Sequence, residues 1–203
     1  MSFSRNDHWS PTSVRWGKRS AVLYRLHQFF QGFNAQVSEA ERQAVAQLLP
    51  APAFALFERM PVDAQRHSLN VLYTLQAVGH QEPDLAVAAL LHDVGKVAAD
   101  EAGVRLGLWL RGPLVILEAL APALLNKLAT ADVQKGWRYA LHVHLTHPVI
   151  GARWAEQAGC TQPACWLIAY HQDAVRWANI GVPPELETRY QWLIALQQAD
   201  EAN

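Results

Sequence analysis

The chain has 203 residues, 51% of them hydrophobic, and a formal net charge of -1. That length and apolar fraction suit one globular domain able to bury its own core, and they argue against disorder. Interleaved charges leave no footprint for generic nucleic-acid binding, and two cysteines, Cys160 and Cys165, are too few for a disulfide framework or a four-cysteine zinc site.

The start, MSFSRNDHWS, lacks an apolar run behind a basic end and is not read as a secretory signal. The most membrane-like stretch, Leu106 to Leu128, is interrupted by Arg111, Pro113, Glu118 and Pro122, so no transmembrane segment and a cytoplasmic location are expected. Helical signals follow in order. Lys18 to Phe33 reads as a helix, and Ser38 with Glu41 forms a capping-box pattern that opens another. Pro52 to Met60 is a short helix. Pro61 precedes a long amphipathic run to Val78 with a stop at Gly79. Pro83 opens a helix ending near Asp93, with Gly95 as a left-handed stop. The apolar stretch Val97 to Trp137 reads as two helices, broken near Gly112-Pro113 and around Lys135-Gly136. Pro148 starts a helix ending near Gly159, Pro163 one reaching about Asp173, and Pro184 the last. Arg176-Trp177 and Gly181-Val182-Pro183 read as a turn before that last helix. Alternating strand patterns are scarce, so the expected class is all-α.

Polar residues at the ends of apolar stripes carry the chemistry. His67 continues into Val71, Leu75 and Val78, spaced by four, four and three. His92 follows Leu85 and Ala88 on one face, with Asp93 next to it. His147 stands just before Pro148, His171 lies four after Leu167, and Asp200 lies four after Leu196. A buried carboxylate without a partner costs several kcal/mol or takes up a proton. A metal ion removes that penalty, and imidazole with carboxylate suits Fe, Mn or Zn.

This order, a histidine, His-Asp, two histidines and an aspartate, resembles the HD-domain superfamily of metal-dependent phosphohydrolases. HDVGK (92–96) is similar to that family's HD-[IV]-G-K form, HPVIGARWAEQAG (147–159) resembles its next helix, and LQQADEAN (196–203) the helix bearing its last ligand. The resemblance spans about Val62 to the C-terminus. It implies an HD-domain helical bundle over 61–203, with an apolar helical insertion at about 97–137. Residues 1–60 read as an added N-terminal helical extension packed on the core, which the family pattern does not explain. Family members with fewer of these ligands work with one ion, and having both His147 and His171 favours two divalent ions over one, with Fe, Mn, Zn, Mg and Ni not distinguished. His67, His92, Asp93 and Asp200 would hold the first, and Asp93 would bridge to a second held also by His147 and His171. The implied reaction is hydrolysis of a small phosphomonoester or phosphodiester, nucleotide-like, by a hydroxide bridging the metals, with Asp93 and Lys96 as catalytic residues and Lys96 holding a phosphate oxygen.

Two other classes share these ligands: di-iron oxygenases of the same fold, and regulatory or binding proteins without turnover. YHQDAVRWANIGVPP (170–184) has only an echo of the Gly-Tyr-Pro motif of cyclic-dinucleotide hydrolases, and no such substrate is assigned. His142 and His144 read as ordinary histidines. Trp109, in the apolar insertion, is either core packing or part of a lid or homodimer face, and the insertion is the expected determinant of substrate.

Overall fold

A computed structural model describes residues 36–104 and 122–203. The readings at Lys18–Phe33, at Trp109 and at the Gly112-Pro113 break lie outside the described residues. Those residues are all-α: α1 (Glu39–Leu48), α2 (Ala51–Arg59), α3 (Val62–Ala77), α4 (Pro83–Leu91), α5 (Val97–Glu101), α6 (Pro122–Leu128), α7 (Trp137–Gln157), α8 (Gln162–Tyr170), α9 (Ala174–Ile180) and α10 (Glu187–Ala202). Single 3-10 turns at Val94–Lys96, Val133–Lys135 and Pro184–Leu186 join them. No described helix is long and apolar enough to cross a membrane.

The short helix α4 organises the rest. Its sequence PDLAVAALL is apolar nearly all round, the pattern of a helix that neighbours enclose. Helices α1, α2, α3, α8 and α10 all pack on it. Leu85, Leu90 and Leu91 are essentially inaccessible, each burial contributing about 2 kcal/mol relative to an exposed side chain. Val45, Leu49, Ala53, Leu56, Phe57 and Met60, from α1, α2 and the residues that end them, belong to the same core cluster as Leu193 and Leu196 of α10. The described residues belong to one compact unit.

Helix α1 opens as the capping box requires: the Ser38 amide donates to Glu41 Oε2 at 2.8 Å, and the Glu41 amide donates to Ser38 Oγ at 3.3 Å. Glu41 also receives a two-pronged contact from Arg66 on α3, both N–O distances being 2.8 Å, and the Tyr73 hydroxyl at 3.2 Å. The Arg66 guanidinium, first among these contacts, holds the Glu41 carboxyl well below the ordinary carboxylate range. α1 is thereby tied to α3 one residue before His67.

Four expectations need correction. Gly95 is not a left-handed stop: positive φ occurs at Gly79, Gly103, Gly136, Gly159 and Gly181, whereas Gly95 sits in the 3-10 turn. Its reason for being glycine is space, as shown below. Pro148 does not start a helix; it lies inside α7, and His147 is a mid-helix residue. Proline leaves the carbonyl four residues back, that of His144, without an amide donor, and the His147 ring takes that place by donating Nδ1–H to it at 2.6 Å. The helix expected to run from Pro163 to about Asp173 stops at Tyr170, with His171 as its cap. Finally, Ala174–Ile180 is a helix, not only a turn, ended by Gly181 at φ 83°.

Candidate metal centre

α4 ends at the middle of the bundle, and its end brings His92 and Asp93 between four other elements. α3 supplies His67, α7 supplies His147, the end of α8 supplies His171 and α10 supplies Asp200. The six residues read from the sequence therefore converge. Four imidazoles form a continuous array, with ring centroids 5.3 Å apart for His67–His92, 5.2 Å for His92–His171 and 5.3 Å for His147–His171.

Two groups of side chains have ligand atoms that all lie within 4.8 Å of one another: His67, His92 and Asp93, and Asp93, His147 and His171. Asp93 is common to both. Its Oδ1 lies 3.3 Å from His147 Nε2 and 3.9 Å from His171 Nε2, and its Oδ2 lies 3.7 Å from His92 Nε2. Asp200 Oδ1 lies 3.4 Å from His92 Nε2 and 2.8 Å from His67 Nε2. Ligands about 2.1 Å from one ion sit about 3–3.5 Å apart at tetrahedral or octahedral angles, so this spacing is that of a cage with room at its centres.

The histidines are aimed by their other nitrogen. His92 donates Nδ1–H to Ala89 O at 2.9 Å, His147 to His144 O at 2.6 Å and His171 to Ile168 O at 2.8 Å, each three residues back. Nε2 is left as the ring atom that faces the centre. Fixing the tautomer through such a partner is how metal-binding histidines are held. All three rings are fully buried, and with the proton on Nδ1 the Nε2 atoms of His92, His147 and His171 present lone pairs that no donor meets, so none has a hydrogen-bond partner. Buried polar atoms in this state cost free energy, and a cation among them would remove the deficit. The residues present fit a metal ion.

Electrostatics agrees. Burial pushes His147 below its ordinary value despite the Asp93 carboxylate, and burial together with His92 pushes His171 down to about 3. Both rings are neutral and able to ligate at neutral pH. At His92, burial opposes protonation, but the Asp93 and Asp200 carboxylates outweigh it and raise the ring above its ordinary value. Burial works against ionised Asp93, but Lys96 and His92 hold it well below the carboxylate range. Asp200 is likewise lowered, burial being overcome by His67 and His92.

A cavity of about 350 Å³ opens on His67 and Asp93. Lys96 lines it, half-exposed, with Nζ 2.6 Å from Asp93 Oδ2. Met60, Ala64, Val97 and Val143 make apolar walls, and Asp63, Asp100 and His144 add polar ones. Those last three were not singled out as site residues from the sequence, although helical spacing contains the signal: Asp63 stands four before His67 and Asp100 four after Lys96. The role of His144 begins in its backbone, as the acceptor for His147.

The HD domain family model matches residues 65–202, from just before His67 to just beyond Asp200. No curated protein and no solved structure matches the chain. With two thirds of the sequence matched and the histidine–aspartate cluster assembled where the motif predicts, the chain belongs to the HD-domain family, within a superfamily of metal-dependent phosphohydrolases.

Proposed function

We propose that this protein hydrolyses a phosphomonoester or phosphodiester, nucleotide-like, with two divalent ions in the histidine–aspartate cage. The observation that carries the reading is the convergence on Asp93 of buried imidazole Nε2 atoms that have no hydrogen-bond partner. His67, His92, Asp93 and Asp200 would hold one ion, and Asp93, His147 and His171 the other. Bound there, the ions would supply Lewis acidity at a phosphoryl oxygen and lower the pKa of a water.

The chain's own groups do the remainder. Asp93, ionised by its surroundings, can serve both positions at once, which explains why one residue of the His-Asp pair must reach further than its neighbour. The Nδ1–H bonds to Ala89, His144 and Ile168 keep three Nε2 lone pairs turned inward. Lys96, at the cavity wall and on Asp93, is placed to exchange that carboxylate for a phosphate oxygen as a point charge. The walls formed by Met60, Ala64, Val97 and Val143 limit water around the reacting group.

The test is phosphate release from a panel of phosphomonoesters and phosphodiesters by protein stripped of metal and then reloaded. Release that returns with metal supports the proposal. Oxygen consumption with Fe(II) and no phosphate release would replace it with an oxygenase, and metal uptake without either reaction would leave a binding protein.

A further inference from the structure

Resting on the two-ion reading, we propose that Gly95 and Gly151 are positioning residues for the ion shared by Asp93, His147 and His171. Their contact sets the separation of the turn that carries Asp93 from the helix that carries His147. Gly95 does not need glycine for its backbone angles, since its φ is not positive. It needs the absence of a side chain. A Cβ there would lie 2.0 Å from the His147 carbonyl oxygen and 2.8 Å from the Gly151 amide nitrogen. Both are backbone atoms and cannot rotate away.

Gly151 is one helical turn beyond His147, on the same face of α7. A Cβ at Gly151 would lie 3.2 Å from Gly95 N, 3.2 Å from Val94 Cγ1 and 3.5 Å from Ile168 Cγ2. Gly151 thus sits where three elements meet: the turn after Asp93, helix α7 with His147, and helix α8 with Ile168, whose carbonyl orients His171. None of these nearest atoms belongs to α3 or α10, which carry His67 and Asp200. Widening the junction draws His147 on α7 away from Asp93, which stays with His67, His92 and Asp200 and so keeps the other set of ligands together. The two glycines therefore control one metal position and not the other.

Gly151→Ala applies the gentler wedge, asking neighbours to yield by a few tenths of an ångström. Metal coordination tolerates only about 0.2 Å of error in ligand distance. Mn(II) titration of the metal-free protein by calorimetry, with elemental analysis of the isolated complex, reads the effect. His171→Ala and His67→Ala identify which binding step belongs to which position. Wild type should take up two ions. In Gly151→Ala, the step lost in His171→Ala should weaken roughly tenfold or more, the scale on which loss of ligand support acts, and the step lost in His67→Ala should be unchanged. Adding Val94→Ala removes the side chain that the wedge strikes, and should recover part of the lost affinity; it also provides a second variant should the single one not fold. Equal weakening of both steps, or no change in either, overturns the inference while the phosphohydrolase reading stands. Uptake of one ion by wild type overturns the inference together with the two-ion reading it rests on, and uptake of none strikes the metal centre itself.

Discussion

The two halves of the cage meet the same chemical demand differently. On one side, His67 and Asp200 are each 26% exposed and satisfy one another through a 2.8 Å hydrogen bond. On the other, His147 and His171 are fully buried, and their Nε2 atoms find only Asp93 Oδ1, at 3.3 and 3.9 Å without hydrogen-bond geometry. The His67–Asp200 pair is satisfied when empty, and only the His92 Nε2 beside it is left without a partner. On the other side neither His147 nor His171 Nε2 is satisfied, and a buried polar atom without a partner costs about 1–3 kcal/mol. An ion should therefore stabilise the fold chiefly through the second half.

The largest effect should come from the residue both halves share. Asp93→Ala should remove metal from both positions and abolish phosphate release, a loss well beyond the roughly 10–100-fold that follows loss of a supporting partner. Activity or a full complement of metal persisting in this variant would remove Asp93 from the centre. The comparison itself can be broken with two isosteric changes measured by urea unfolding of metal-free protein. His67→Leu should lower stability by about 1–3 kcal/mol, because Asp200 loses its hydrogen-bonded partner. His171→Leu should be neutral or stabilising by about 1 kcal/mol, since it removes an unpaired buried nitrogen. Equal losses from both would mean that the two halves are not different.

Lys96→Ala sharpens the distinction between holding metal and holding substrate. It should raise KM for a phosphoester roughly tenfold, the size of one hydrogen bond between charged groups, with metal content unchanged. Loss of metal would instead make Lys96 part of the cage. The smallest effect concerns the scaffold beside His67. Glu41 is lowered from its ordinary 4.5 by Arg66, so the pair contributes its full stability above that unfolded value and loses it as pH falls below about 4.5. Glu41→Gln should cost about 1 kcal/mol near neutral pH, and the two unfolding curves should converge in acid. A constant gap across the acid range would deny the pair its titrating role.

Much of the centre was legible because its residues end apolar stripes whose spacing is visible in one dimension. His67 with Val71 and Leu75, and Asp200 with Leu196, are aligned by helix periodicity alone, and His92-Asp93 follows an almost wholly apolar run. The capping box at Ser38 and Glu41 was equally local. What sequence could not supply was the identity of atoms brought together from distant positions. Pro148 looked like a helix start because proline tolerates that place; only folding reveals that the His147 ring occupies the carbonyl the proline leaves open. Gly95 looked like a turn residue because its crowding comes from α7, more than fifty positions later in the chain. Helix Ala174–Ile180 is seven residues long, too short to establish a period, and was read as a turn. Asp63, Asp100 and His144 carry no mark of a site in the sequence, and become cavity walls only when α3, α5 and α7 converge.

On the proposed reading, six side chains from five helices form a centre for two ions, with Asp93 common to both. Elemental analysis of purified protein after reconstitution with Mn(II) tests it most directly. Wild type should hold two ions per chain, His171→Ala one and Asp93→Ala none. A wild-type chain with no bound metal, or an Asp93→Ala chain that keeps two ions, would contradict it.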